Sequence, residues 1–359
     1  MIQSSRAPGA AVSAATGADS QPSTVRETQA PATKRRLFRL LVLALCVPAA
    51  ALLALLIGST VLAPSAVLWD LAHPASTGIT HTIVWDLRLP RVLIALCVGG
   101  GLGIAGALLQ ILFRNPLVDP YITGVAAGAA LAAAIGFTLG VAFAVVPVLA
   151  FAGGLGCAAL VAFIGGNETT AGNLRLVLAG VAISALCSAL VTLLLLHGQQ
   201  TGGMPILAWL AGGINGRGWN DLHWTAGYLG AGIAAAFLQV HALNLLRLGG
   251  VAAAGLGLQV TRARWSVLVT ASLITAACVA VSGIVGFVGL MVPHVVRRLI
   301  SGDARWLLAG SALAGAAVVA LADLLARALM PPTEIPLGVL LALVGVPFFL
   351  SLTRRPVEL

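Results

Sequence analysis

Residues Gly99–Pro120 read GGGLGIAGALLQILFRNPLVDP and contain Gly101-x-Gly103-x-x-Gly106, the spacing of a dinucleotide-binding turn. A turn of that kind must follow a strand, open a helix and find an acidic residue ~20 positions on. None of these conditions holds. Val92–Phe113 is uncharged and long enough to form one membrane helix. Gly99, Gly103 and Gly106 then fall at a small-residue spacing that lets a neighbouring helix approach closely.

Composition extends the membrane reading to the whole chain. The 359 residues are 59% hydrophobic and 9% charged, against roughly 25% charged in soluble domains. Tyr121–Gly166 carries no charge over 46 residues, enough for two spans. Cys46, Cys97, Cys157, Cys187 and Cys278 are scattered singly without a CxxC pair, so neither a metal site nor a disulfide framework is indicated. Residues 1–33, rich in Ala, Ser, Thr, Pro and Gln, lack the pattern of a cleavable signal and are expected to form a disordered cytoplasmic tail.

From the basic cluster at Lys34 onward, apolar runs predict an all-α integral membrane domain over 34–359. Its ten spans fall near 37–62, 91–113, 120–138, 141–164, 174–196, 225–246, 265–283, 285–299, 306–329 and 336–353. Trp265–Val296 has no Asp, Glu, Lys or Arg and exceeds one span, so it is expected to break at Gly283, Gly286 and Gly289. Ten spans put both termini on one side. With the termini inside, 16 of the 20 cationic residues fall inside and only Arg88, Arg91, Arg217 and Arg327 outside, as the positive-inside rule asks. The net charge of +9 therefore reflects topology and does not point to nucleic acid. The seven tryptophans sit near span ends, where they serve as interfacial anchors in contact with lipid.

Several function classes drop out. None of the eleven acidic residues lies at the middle of a span, which disfavours a proton-coupled carrier. The only lysine, Lys34, sits in ATKRR, so the chain has no Walker A loop and hydrolyses no nucleotide itself. No nucleophile, base and orienting group gather at one span end, which argues against a membrane enzyme.

Six segments carry a resemblance: LRLPR (Leu87–Arg91), GALLQILFRNPLVDPYITGV (Gly106–Val125), LNLLRLG (Leu243–Gly249), GIVGFVGLMVPHVVRRL (Gly283–Leu299), ALADLLAR (Ala320–Arg327) and EIPLGVLLALVGVPFFLSL (Glu334–Leu352). In order and spacing they resemble the FecCD family, permease subunits of type II ABC importers that take up haem, iron-siderophores and cobalamin. The resemblance implies a homodimer in the bacterial inner membrane, two cytoplasmic ATPase subunits carrying ATP and Mg, and a periplasmic binding protein. It implies no cofactor or metal on this chain. Haem ranks ahead of ferric siderophores, with cobalamin third.

Residue roles follow from the resemblance. Arg88, Arg91 and Arg327 would meet acidic residues of the binding protein, although Asp323 stands one turn from Arg327 and could pair with it locally. The loop over 247–264 would hold the coupling helices, with Leu248, Gly249, Ala254, Leu256 and Gly257 fitting the family pattern and Gly250 standing where an acidic residue is usual. Asn115 and Leu117 of the NPL turn, with Asn173 before the fifth span, would line the cytoplasmic gate. His294 of VPH is expected to be structural.

Overall fold

The computed structural model describes residues 29–58, 62–166, 171–197, 203–300 and 303–353, and its regular elements there are all helical. They run in order α1 (Gln29–Leu56), α2 (Pro64–Ala72) and α3 (Ile79–His81), which passes through a π-helical stretch (Thr82–Arg88) into α4 (Leu89–Leu112). A 3-10 turn (Pro120–Thr123) leads to α5 (Val125–Thr138), α6 (Val146–Gly165), α7 (Ala171–His197) and α8 (Gly203–Leu210). Then follow α9 (Trp219–Leu238), α10 (Val240–Arg247), α11 (Gly250–Gly255), α12 (Val260–Ser282), α13 (Val288–Leu299), α14 (Ala304–Ala328) and α15 (Leu337–Thr353). The expected tail lies outside the described residues as far as 28, and α1 already begins at Gln29.

Each of the ten expected spans coincides with helix, but they are not equal. Six helices are long and apolar enough to cross a membrane, or seven if α9 and α10, bent by 55°, count as one. The other three, α5 with 14 residues, α13 with 12 and α15 with 17, are shorter than the ~20 residues of a full crossing. Two of them are short because irregular backbone precedes them. Before α5 stands the 3-10 turn and Gly124 at φ 77°; before α13 stands a break with Gly283 at φ 64° and Phe287 at φ 67°.

Helix α4 is the axis of the molecule. Every residue from Val98 to Leu112 is buried, and α14, α12, α13, α9 and α1 pack around it. Its glycines are the seats. A Cβ on Gly99 would run into the carbonyl oxygen of Gly315, and one on Gly103 into that of Ser311, so both open α4 to α14. Gly101 faces α12, where a Cβ would stand 2.6 Å from Cys278 Sγ, and Gly106 faces the Gly289 carbonyl in α13. The apparent cofactor fingerprint thus places three neighbours on one helix.

The break between α12 and α13 comes where the uncharged run predicts it, and side chains and backbone from distant parts of the chain satisfy it. Tyr121 Oη accepts the Val285 N–H at 2.9 Å and donates to the Val285 carbonyl at 2.7 Å. Gln110 Nε2 donates to the carbonyls of Gly289 and Leu290 at 3.3 and 3.1 Å. Ser282 O accepts from Gly213 N–H at 2.8 Å. Irregular backbone at membrane depth is stable only when it is buried in protein or lines a cavity.

Candidate translocation cavity and its two docking faces

A cavity of about 730 Å³ lies beside that break, between the 3-10 turn, α5, α7 and the start of α13. On α7, Ser184, Ser188 and Thr192 recur every fourth residue and face it as one hydroxyl stripe. Gly180 continues the stripe, and a Cβ there would strike the Ile122 carbonyl, so α7 rests directly on the 3-10 turn. Asp119 and Tyr121 close the opposite side, while Lys, Arg and His do not occur among the lining residues. Asp119 caps the turn by accepting the Tyr121 N–H at 2.9 Å. Burial pushes its carboxyl up to about 6, opposed by that hydrogen bond.

At the end that the charge distribution assigns to the outside, the three arginines expected to dock a partner are turned inward. Arg91 forks between Asp323, at 2.9 to 3.2 Å, and Glu334, at 2.9 and 3.1 Å. Arg327 pairs with Asp323 at 3.1 Å and donates to the Ala54 carbonyl at 3.1 Å. Arg88 donates to the carbonyls of Leu55 and Leu56 at 2.7 and 3.3 Å. Arg88 and Arg327 therefore cap the last turn of α1, where carbonyls lack intrahelical partners and the helix dipole is negative. They are 5% and 4% exposed. The local pairing of Asp323 with Arg327 is present, and the guanidinium groups expected to dock are engaged within the fold.

The fourth outward cation, Arg217, joins them. It donates to the Val281 carbonyl at 3.0 Å, pairs with Asp221 at 3.4 Å and lies 4.8 Å over the Phe143 ring. Arg88, Arg91, Arg217 and Arg327, with Asp86 and Glu334, line an outer cavity of about 480 Å³. Sequence reasoning singled out neither Glu334 nor Arg217 as a site residue. The signal was available in the count of four outward cations, which converge here.

The same end carries three Trp–His contacts. Trp69 stacks on His73 at 3.9 Å between centroids. His81, Trp85, Trp219 and His223 follow one another at 6.1, 6.3 and 6.4 Å. Anchoring at the interface does not by itself require such an order.

At the opposite end, α10 and α11 make two short helices joined at Gly249, whose φ of 101° suits glycine; Gly257, at φ 84°, ends the second. Leu248, Val251 and Leu256 are 58%, 91% and 62% exposed, with Ala254 and Gly257 also exposed, while Gly249 and Ala253 are buried beneath them. Such an apolar tip marks a surface for a partner. Arg114, which follows α4 at φ 52°, reaches this loop: a Cβ on Gly249 would stand 3.2 Å from its guanidinium. The residue that precedes the NPL turn is therefore in touch with the loop expected to couple. Within that turn Asn115 Oδ1 accepts the Leu117 N–H at 2.9 Å, and both residues are exposed. Asn173 lies in the first turn of α7, with its side chain outside the described residues. His294 packs edge-on against Phe348 at 6.4 Å.

The chain matches the model of the FecCD transport family over residues 43–355. It is similar to the hemin transport system permease protein HmuU of Yersinia pestis, with 39% identity over 285 residues, 77% of this chain and 84% of that one. It is also similar to the Fe(3+)-citrate import system permease protein YfmE of Bacillus subtilis, with 35% identity covering 89% and 96% of the two chains. The cobalamin import system permease protein BtuC of Halobacterium salinarum is 40% identical, covering 79% and 77%. A solved inward-facing metal-chelate type ABC transporter superposes with a TM-score of 0.78 at 32% identity, covering 88% of this chain and 98% of that one. With its buried helix α4, broken span and exposed apolar tip, the chain belongs to the FecCD family and is a multi-pass permease subunit of an ABC importer.

Proposed function

We propose that this permease moves an iron chelate, haem before ferric siderophores and cobalamin, from periplasm to cytoplasm by alternating access. The observation that carries the reading is the cavity at the broken span. Apart from Asp119 its lining is apolar side chains and hydroxyls, which suits a ligand with a large apolar body. A chelate coated with carboxylates would meet no cation there to offset the cost of leaving water, whereas haem confines its two carboxylates to one edge of an apolar ring.

The energy comes from outside the chain. In this reading two copies of the permease share a path at their two-fold axis in the bacterial inner membrane, with both termini cytoplasmic. Two ATPase subunits, holding ATP and Mg, seat on Leu248, Gly249, Ala254, Leu256 and Gly257. Asn115, Leu117 and Asn173 form the inner gate, and Arg114 links the turn of that gate to the coupling tip. A periplasmic binding protein docks at the opposite end. Because Arg88, Arg91 and Arg327 are engaged within the fold, its carboxylates would have to compete with Asp323, Glu334 and the end of α1 for them.

Uptake into sealed proteoliposomes tests the reading. They would contain the permease and its ATPase, with ATP on the ATPase side, and haem, ferric siderophore, ferric citrate or cobalamin supplied on their binding proteins. ATP-dependent accumulation of haem supports it. Accumulation of ferric citrate in place of haem rejects the substrate, and uptake driven by a pH gradient without the ATPase rejects the class.

A further inference from the structure

The ordered Trp–His series at the outer end has a chemistry of its own. Trp219 Nε1 donates to the Trp85 carbonyl at 3.0 Å and Trp85 Nε1 to the Asp70 carbonyl at 2.8 Å, which fixes both indoles. His223 Nδ1 lies 2.7 Å from the Trp219 carbonyl. A carbonyl only accepts, so Nδ1 carries the proton, and in the neutral tautomer the exposed ring keeps its lone pair on Nε2. His81 is held alike: Ser76 Oγ donates to Asp70 at 2.9 Å and therefore accepts from His81 Nδ1 at 2.9 Å. An imidazole whose Nδ1–H is tied to oxygen is oriented as a metal ligand through Nε2.

The number of ligands narrows the class. Among the described residues no three His, Cys, Asp or Glu side chains converge on a point, so a bare ion would not be held. A ligand that brings its own equatorial donors needs only one imidazole. The surroundings agree. Ile83, Asp86 and Leu87, from the π-helical stretch that carries Trp85, line the outer cavity, as do Gly216, Arg217 and Gly218 just before Trp219. Four guanidinium groups line that cavity, and acidic substituents entering it would share them with Asp323, Glu334 and Asp221.

We propose that this corner is a reception site for an iron porphyrin. The iron exchanges a water ligand for His223 Nε2, the macrocycle lies against Trp219 and Trp85, and its carboxylates reach the arginine-lined cavity. The inference rests on the haem reading above and adds to it a contact before the ligand enters the path.

The test uses the full chain in lipid nanodiscs, titrated with ferric haem and, separately, with iron-free protoporphyrin, empty nanodiscs being subtracted. Wild type should give the Soret and visible bands of imidazole-ligated iron. His223→Ala should lose those bands and bind ferric haem about tenfold or more weakly, with protoporphyrin affinity unchanged. Ferric haem binding that is equal in His223→Ala and wild type would overturn the site, and so would a wild-type spectrum without imidazole ligation. Proteoliposome uptake separates the two readings: haem transport without the imidazole spectrum sinks the reception site alone, and absence of haem transport sinks the substrate assignment.

Discussion

Asp323 is the residue on which the outer end turns. It is 1% exposed and shared by Arg91 and Arg327, so removing it strips Arg327 of its carboxylate and leaves Arg91 only Glu334. Asp323→Ala should destabilise the chain by about 3–5 kcal/mol, the usual cost of breaking a buried pair by deleting one partner. Thermal unfolding in detergent would read this as a large fall in midpoint, and a change no larger than that of an exposed control such as Asp86→Ala would remove the assignment. The same geometry changes what charge reversal at Arg88 or Arg327 can report. Glutamate there would lose the cap of α1, so weakened partner binding would not isolate docking. Asp119 gives a prediction in pH. Its carboxyl is raised to about 6 in the fold from ~3.9 unfolded. The native state therefore holds more protons between those values, and stability falls as pH rises through that window. Asp119→Asn keeps the acceptor for the Tyr121 N–H and abolishes the titration. The variant should gain on wild type in melting temperature from pH 4 to pH 6, and a gap constant with pH would exclude burial as the cause.

Among the elements, α4 shows how far the sequence could be read. Its uncharged run and small-residue spacing reveal a packed membrane helix without any structure, because burial against neighbours needs only glycine at the right period. Gly103→Leu should prevent α14 from seating Ser311 against α4, and the expected result is loss of folded protein on size-exclusion chromatography. Gly156 on α6, where a Cβ meets nothing within 4 Å, supplies the control, and equal loss in Gly156→Leu would refute the packing explanation. The break after Ser282 was also legible, from an uncharged run too long for one span. Its fastening was not. Tyr121 and Gln110 lie more than 160 positions from the backbone they hold, and no local pattern announces a contact of that range. The inward turn of Arg88 and Arg327 escaped for the same reason, since the carbonyls they cap belong to α1. The short lengths of α5 and α13 were hidden because hydropathy does not distinguish helix from apolar irregular backbone.

For the whole molecule, transport by an ABC importer requires that ATP hydrolysed on one subunit move helices in another, and the proposed coupling tip gives that push a route to test. Leu248, Val251 and Leu256 form an exposed apolar tip, α10 and α11 support it, and Arg114 brings the end of the central helix α4 against Gly249. Loss of the tip and loss of the link should therefore have different consequences. Val251→Asp with Leu256→Asp places charge on residues that are 91% and 62% exposed, so the fold should persist while the ATPase no longer co-purifies. Arg114→Ala leaves the apolar tip and the packing of α10 intact and removes the guanidinium contact between Gly249 and the end of α4. ATPase association should be retained, and uptake per ATP hydrolysed should fall. Co-purification and paired uptake and hydrolysis assays on the two variants decide the matter. A double aspartate variant that still holds its ATPase would move the docking surface elsewhere, and an Arg114→Ala variant with wild-type uptake per ATP would show that the push reaches the path by another route.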